Sequence, residues 1–176
     1  MGPALCAAVT ACAVLAAGGL LSARDTVDCT HVRATDARAQ AAIADGMERS
    51  ATFRSLVDAI SQSDLIVYVS TGSNMPAPLD GEIHFLTSVG SHRYLRILIR
   101  GDLNPWERCA TVGHELQHAR EVAEASEVID NRTMDALYHR IGFGVGIDRH
   151  ETDAARAVTT QVLRELTPPR TSITAR

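Results

Sequence analysis

The sequence predicts an α+β fold, in which a small three-stranded, mainly antiparallel sheet packs against later helices. Three observations predict it. Residues 33–64 have a helical pattern, residues 65–100 contain three strand-like runs, and the chain after residue 104 is again mostly helical in pattern. Elements segregated along the chain in this way are typical of α+β proteins. With 176 residues in total and no internal repeat, residues 24–176 suit a single domain.

The first 23 residues differ in kind from the rest. Residues 3–21 carry no charged side chain, and the polar chain begins at Arg24. An apolar stretch at the start of a chain, followed by small residues, is typical of a secretion signal. The stretch is also just long enough to remain as a membrane anchor, and residues 9–12 resemble a lipoprotein box. We therefore expect residues 1–23 to be a signal peptide or a membrane anchor, and each alternative places the domain outside the cytoplasm.

Charge and cysteine content bear on the partners and the compartment. The formal net charge is −4, all 17 basic residues are arginine, and they form no dense cluster. This distribution argues against nucleic acid as a partner. Beyond the apolar leader the cysteines are Cys29 and Cys109. In an oxidising compartment they are candidates for a disulfide, and the alternative is that Cys109 is a buried thiol on its helix.

The helical pattern over residues 33–64 contains one break. We expect an interruption near Gly46, with Ser50 restarting the helix as an N-cap. Residues 65–70, LIVYVS, form a short β-branched run that predicts a strand. The loop that follows is rich in glycine, proline and asparagine.

Two further strands form a predicted hairpin. Residues 82–89 and 93–100 have strand patterns, and GSH at residues 90–92 supplies the turn between them. In the second strand, large aliphatic residues alternate with Arg96 and Arg100. One face of this strand is therefore expected to be buried, and the other to meet water or a partner.

The helix after the sheet has a defined start and two distinct faces. Asn104 is an N-cap, Pro105 fits the first helical position, and Glu107 completes a capping box. The periodicity of a helix then gives an apolar stripe that faces the core. The apolar stripe consists of Cys109, Val112, Leu116, Ala119 and Ala123. The roughly opposite side presents His114, His118 and Glu121.

The segment GHELQHA, residues 113–119, has the pattern of a zinc site. Side chains at positions i and i+4 project from one helix face, so His114 and His118 can bind one Zn²⁺ at about 2.0–2.1 Å. Glu115 lies about 100° around the helix, where it can take a proton from a zinc-bound water that attacks a carbonyl. The alternative is a solvated helix face that carries ordinary histidines.

TVGHELQHA, residues 111–119, resembles the active-site helix of the zincin metallopeptidases. Uncharged residues bracket the two histidines as in that family, whereas Arg120 stands where a hydrophobic residue is usual. The histidine that follows at fixed spacing in metzincins is absent, so the resemblance points to the gluzincins. It covers about a dozen residues, and the order of elements extends it loosely to residues 64–166. It implies a zincin-like fold, a third zinc ligand from a glutamate on a later helix, and a strand, here 93–100, that lines the substrate cleft.

Glu151 is the expected third ligand. Taken as part of a helix over residues 148–166, it lies on the apolar, inward face, where an unpaired carboxylate is costly to bury. Zinc would be its partner, and the resemblance to gluzincins implies the same. In the alternative, Asp148 is an N-cap and Glu151 completes a capping box. His150 is a competing ligand that points elsewhere on this helix.

Other polar residues receive secondary roles. Glu121 lies about 10 Å along the helix axis from His114. We interpret it as a residue that orients a ligand imidazole, or as a solvated glutamate. Gluzincins also use a His, Tyr or Arg to stabilise the oxyanion, and the resemblance makes four residues candidates. They are Tyr138, His139, Arg149 and His150, of which Tyr138 and His139 are alternatively packing residues.

The sequence therefore predicts a small exported zinc-dependent hydrolase, most specifically a metallopeptidase acting on a peptide or protein substrate. One Zn²⁺ per chain is expected on His114, His118 and Glu151, with Glu115 as general base. The alternative is a non-catalytic zinc-binding domain of the cell envelope that keeps a zincin scaffold. A catalytic zinc keeps an open coordination position, whereas a fourth protein ligand closes a structural one. A third interpretation is that no metal binds.

Overall fold

A computed structural model describes residues 31–73, 75, 78–144 and 150–167. The strands are β1 (Val32–Ala34), β2 (Leu65–Gly72), β3 (Gly81–Val89), β4 (His92–Arg100), β5 (Phe143–Gly144) and β6 (His150–Glu151). The helices are α1 (Ala37–Arg49), α2 (Ala51–Ser61), α3 (Pro105–Ala123), α4 (Asn131–Ile141) and α5 (Asp153–Leu166). This mixture of helices and sheets confirms the α+β class. The predicted signal peptide or anchor, residues 1–23, lies outside the described residues, and no described helix is long and apolar enough to cross a membrane.

The first two helices correct the predicted helical stretch over residues 33–64. The stretch starts as strand β1, and α1 begins after Asp36, whose carboxylate accepts hydrogen bonds from two backbone N–H groups of the first turn. Gly46 does not interrupt the helix: it lies inside α1 against the Phe53 ring, where a Cβ would come within 2.6 Å of ring carbons. The absence of a side chain at Gly46 therefore lets the Phe53 ring of α2 pack directly against α1. The break falls at Ser50, which caps α2 as predicted.

The main sheet has the strand order β1-β2-β4-β3. β1 pairs with β2 and β2 with β4 in parallel, while β3 pairs with β4 antiparallel. The expectation of a three-stranded, mainly antiparallel sheet is therefore wrong. β1 has three residues, VRA, which is too short for an alternating pattern, and periodicity does not tell which strand lies beside which. The predicted β3–β4 hairpin is confirmed, with Gly90 in its turn at φ 60°.

One face of the main sheet is buried beneath the helices. Leu95, Ile97 and Ile99 of β4 have no exposed surface, which confirms the predicted inward face. Tyr94 points the other way and stacks on Tyr68 of β2, with ring centroids 6.5 Å apart. α3 contacts β2, β3 and β4 on the buried face and packs against α1, α2 and α5. It is the central helix of the fold.

The sequence signals for α3 are confirmed. Asn104 and Glu107 form the reciprocal capping box, and Pro105 is the first helical residue. The apolar stripe is buried, with Ala123 partly so. Cys109 on this stripe is buried, and burial raises the pKa of its thiol to about 12. Cys29 lies outside the described residues, so the disulfide stays a prediction.

A buried arginine joins the sheet to the end of α3. Arg93, only 6% exposed, donates two hydrogen bonds to Asp64, at 2.7 and 2.8 Å. Its Nη1 also donates to the carbonyl oxygens of Val122, Ala125 and Val128, at 2.8 to 3.1 Å. Carbonyls at the end of a helix lack an intrahelical partner. The carbonyl oxygens of Val122 and Ala125 also accept a backbone N–H, and Arg93 adds a second donor to them. Arg93 therefore holds the C-terminal end of α3 against β4.

The chain after α3 contains a small sheet that the sequence did not predict. β5 pairs antiparallel with β6, which places Phe143 opposite Glu151. The expected helix over residues 148–166 is corrected at its start: α5 begins at Asp153, and Thr152 is its N-cap. Glu151 therefore lies in a strand. α5 packs along α3, which sets the segment just before α5 beside the two predicted zinc ligands.

Candidate metal centre

α3 and β6 bring His114, His118 and Glu151 together. The imidazole centroids of the two histidines lie 4.9 Å apart. Glu151 Oε1 lies 3.4 Å from His114 Nε2 and 3.6 Å from His118 Nε2. In a tetrahedral site with zinc–ligand bonds of about 2.0–2.1 Å, two ligand atoms are about 3.3–3.4 Å apart. These two separations are close to the edges of such a tetrahedron, and all three ligand atoms lie within 4.8 Å of one another, which is compatible with a shared zinc ion.

Glu151 reaches the imidazole pair from a strand. Its backbone pairs with Phe143, and a Cβ on Gly142 would lie 2.7 Å from the Glu151 carbonyl oxygen. The carboxylate accepts a hydrogen bond from the Thr152 backbone N–H at 2.8 Å. The alternative of a capping box that includes Glu151 is wrong, because the N-cap of α5 is Thr152, one residue later. Asp148 lies outside the described residues.

Glu121 sets the orientation of the His118 ring. Its Oε2 lies 2.8 Å from His118 Nδ1. Its Oε1 accepts hydrogen bonds from Thr152 Oγ1 at 2.8 Å and from Gln117 Nε2 at 3.3 Å. A carboxylate partner places a proton on Nδ1, which leaves Nε2 turned toward Glu151. The Glu121 side chain is only 10% exposed, so the alternative of a solvated glutamate is wrong. Its contact with the His118 ring agrees with the expected orienting role, and the role of His118 as a metal ligand stays a prediction.

Thr159 of α5 orients the His114 ring in a similar way. His114 Nδ1 lies 2.9 Å from Thr159 Oγ1, and the Thr159 hydroxyl donates to the Ala155 carbonyl at 3.2 Å. Because the hydroxyl proton is used in that bond, Oγ1 accepts the Nδ1 proton of His114. Both imidazoles therefore turn Nε2 toward Glu151, and this nitrogen is free to take a proton or a metal ion.

The centre stabilises a positive charge. Burial lowers the pKa of His118, but the carboxylates of Glu121 and Glu151 outweigh burial and raise it to about 10. Burial, together with the neighbouring His118, lowers the pKa of His114. Burial raises the pKa of Glu151, but the contact with His118, the nearby His114 and the Thr152 backbone N–H together hold this pKa below its usual value. A metal ion that binds here replaces the His118 proton, because a ligand imidazole must be neutral.

Glu115 lies on the wall of a cleft beside the three ligand atoms. It is 4% exposed, and burial raises its pKa to about 7. Its Oε1 passes so close to Gly81 that a Cβ there would lie 2.6 Å away. The cleft has a volume of about 530 Å³ and is bounded by residues 78–81, by α3 and by α5. A buried carboxyl whose pKa is near neutrality is suited to proton transfer in such a cleft.

Three of the four residues predicted to stabilise an oxyanion, Tyr138, His139 and His150, do not line the cleft. Tyr138 is buried, its ring contacts the His118 ring edge-on at 5.1 Å, and its hydroxyl donates to the His118 carbonyl at 3.0 Å. It therefore supports the helix that carries the ligand. His139 and His150 lie next to each other at α4, and neither side chain lines the cleft. Arg149 lies outside the described residues.

The cleft also contains groups that sequence analysis missed. Arg156 lines it, with its guanidinium carbon 4.6 Å from the Phe143 ring centroid and its Nε 3.9 Å from Glu151 Oε2. Residues 78–81, leading into β3, form the rim that the resemblance assigned to the strand at 93–100.

The sequence does contain a pattern that groups the cleft residues of α5. Arg156, Thr159 and Thr160 follow an i, i+3, i+4 spacing, which places them on one side of a helix. All three line the cleft. The spacing becomes informative only when α5 is known to pack along α3 with this side toward the histidines, and that is tertiary information.

Comparisons with known proteins return nothing: no family model, no curated protein and no solved structure matches this chain. The zincin-like interpretation therefore depends on the residues of this chain and on their geometry. The HExxH segment, residues 114–118, supports it, whereas Glu151 lies in β6 and not on the helix that the resemblance implied. The zincin-like fold therefore stays a prediction.

Proposed function

We propose that this protein is a zinc-dependent hydrolase, most specifically a metallopeptidase. The observation that carries the proposal is the spacing of three ligand atoms, two imidazole nitrogens and one carboxylate oxygen, beside a cleft whose wall includes Glu115. Two histidines and a glutamate are a ligand set found in catalytic zinc sites.

Each residue of the centre has a chemical task in this proposal. His114, His118 and Glu151 would hold the ion, and Glu121 and Thr159 would keep the two imidazoles aimed at it. A bound zinc lowers the pKa of water and polarises a carbonyl. Glu115 would take the proton of the attacking water and pass it to the leaving amine. Arg156 offers a positive charge in the cleft for the developing oxyanion.

Coordination favours the hydrolase over the non-catalytic zinc domain. A structural zinc is closed by four protein ligands, whereas a catalytic zinc has three and an open position. Among the described residues, the group that can hold an ion here has three members. The residues expected to close it are engaged elsewhere: Glu121 contacts His118 Nδ1, and His150 contacts Asp135.

The test is hydrolysis of a peptide library by the zinc-loaded full-length chain, with cleaved bonds identified by mass spectrometry. We expect cleavage that stops when a chelator removes zinc and returns when Zn²⁺ is added. His118→Ala should be inactive. His84→Ala replaces a partly exposed histidine that does not line the cleft, and it should cleave like the wild type. Zinc binding without any cleavage would favour the non-catalytic domain. Cleavage that survives zinc removal would contradict both the zinc-dependent hydrolase and the non-catalytic zinc-binding domain.

Thr159→Val provides a finer prediction about the centre. It removes the hydroxyl that contacts His114 Nδ1 at 2.9 Å while preserving side-chain shape. Loss of such an outer partner typically weakens metal binding about 10- to 100-fold. Thr160→Val is the matched control, because Thr160 also lines the cleft and bonds to a carbonyl four residues earlier, but does not contact His114. Zinc affinity is measured by competition with a chromophoric chelator. Equal affinities in the two variants would contradict the role of Thr159.

A further inference from the structure

A second group of potential metal ligands lies at α4, outside the candidate metal centre. Asp135 and His139 are four residues apart on this helix, and His150 of β6 faces them. His150 Nε2 lies 3.2 Å from Asp135 Oδ1, and His139 Nε2 lies 3.5 Å from Asp135 Oδ2. The two imidazole centroids are 4.2 Å apart. One ligand atom from each residue lies within 4.8 Å of the others.

The geometry at α4 repeats the plan of the candidate metal centre. There, an i, i+4 pair on α3 receives a third ligand, Glu151, from β6. At α4, an i, i+4 pair receives its third ligand from the preceding residue of the same strand, His150. Neighbouring side chains of a strand point to opposite faces. His150 and Glu151 therefore serve two separate groups, one on each side of β6.

The geometry points to a second divalent transition-metal site on Asp135, His139 and His150. Two imidazoles and one carboxylate suit Zn²⁺ and neighbouring first-row ions rather than Mg²⁺ or Ca²⁺, which prefer oxygen ligands. The His150 side chain is 12% exposed, whereas those of His139 and Asp135 are 66% and 54% exposed, so an ion can enter from solvent. Bound there, it would tie β6 to α4.

The test counts zinc ions on the metal-stripped full-length chain by equilibrium dialysis at micromolar free Zn²⁺, with elemental analysis. We expect two ions in the wild type and one in His139→Ala and in Asp135→Asn. Circular dichroism checks that each variant is folded. His84→Ala is the matched control, because His84 also pairs with a carboxylate, Glu82, at 3.1 Å, but belongs to no three-ligand group among the described residues. It should keep two ions.

His118→Ala separates this proposal from the proposed function. It should lose the ion of the candidate metal centre and keep the ion at α4. A wild type with one ion that His139→Ala retains and His118→Ala loses would overturn the second site alone. One ion that His139→Ala loses and His118→Ala retains would support the α4 site and contradict the zinc ligands of the proposed hydrolase. Loss of an ion in His84→Ala as well would overturn the α4 site, because the binding would then be nonspecific.

Discussion

Glu115→Gln is expected to abolish most hydrolysis while zinc remains bound. Glutamine has nearly the same shape as glutamate but cannot accept the proton of the attacking water, and the loss of a general base typically costs about 10²- to 10⁴-fold in rate. The substitution leaves His114, His118 and Glu151 unchanged. The turnover rate of a cleaved peptide and the zinc content of the same sample are the two measurements.

The control for this substitution is Glu124→Gln. Glu124 follows α3, and its exposed side chain pairs with Arg120 at 2.9 Å. Its activity should equal that of the wild type. If Glu115→Gln cleaves peptides as fast as Glu124→Gln, Glu115 is not the general base, even if zinc is bound where we propose.

Arg93→Met is expected to lower the free energy of unfolding by about 1–3 kcal/mol. Methionine fills much of the volume of the arginine stem but donates no hydrogen bonds. Three buried carbonyl groups at and after the end of α3 then lose their common donor, and Asp64 loses its cation. Val122 and Ala125 keep a backbone N–H donor to their carbonyl oxygens, so the cost comes from the buried hydrogen bonds that Arg93 itself makes. We still expect this cost to exceed that of an ordinary surface ion pair.

The matched control is Arg96→Met on the same strand. Arg96 is exposed on the opposite face of β4, so its replacement should change the free energy of unfolding by about 0.5 kcal/mol or less. Urea denaturation of both variants measures the difference. Equal stabilities of Arg93→Met and Arg96→Met would show that the hydrogen bonds of Arg93 do not stabilise the end of α3.

The helix with the two histidines could be predicted nearly completely from the sequence. Its start depends on Asn104 and Glu107, which act within one turn, and its faces follow from helical spacing alone. The helix start and the helix faces each depend on residues within a few positions of one another, so they can be predicted without knowledge of the rest of the fold. The side of the helix on which His114 and His118 meet was therefore expected and is confirmed.

Glu151 was predicted as a neighbour of the histidines but on the wrong element. The helical pattern of residues 148–166 placed it on an inward face, whereas Thr152 is the actual N-cap of α5. A short strand and a helix start are both compatible with this local sequence. The pairing of β6 with β5 and its contact with Gly142 decide between them, and neither contact is visible in local periodicity.

The alternation of β4 also places Arg93 on the buried face of the sheet. Arg93 points to the same side of the strand as Leu95, Ile97 and Ile99. An arginine at such a position predicts a buried cation that has hydrogen-bond partners. Its partners lie 29 to 35 residues away in the chain, and no local pattern identifies them. The same limit explains the sheet order, since β1 joins β2 across two intervening helices.

We propose that His114, His118 and Glu151 together hold one zinc ion. The most direct measurement is a crystal structure of the zinc-loaded protein with anomalous diffraction recorded at the zinc absorption edge. We predict an anomalous peak about 2.0–2.1 Å from Nε2 of both histidines and from a Glu151 carboxylate oxygen, with Glu115 beside it and unbound. An empty centre in zinc-saturated crystals, or an ion bound to these histidines without Glu151, would contradict the claim.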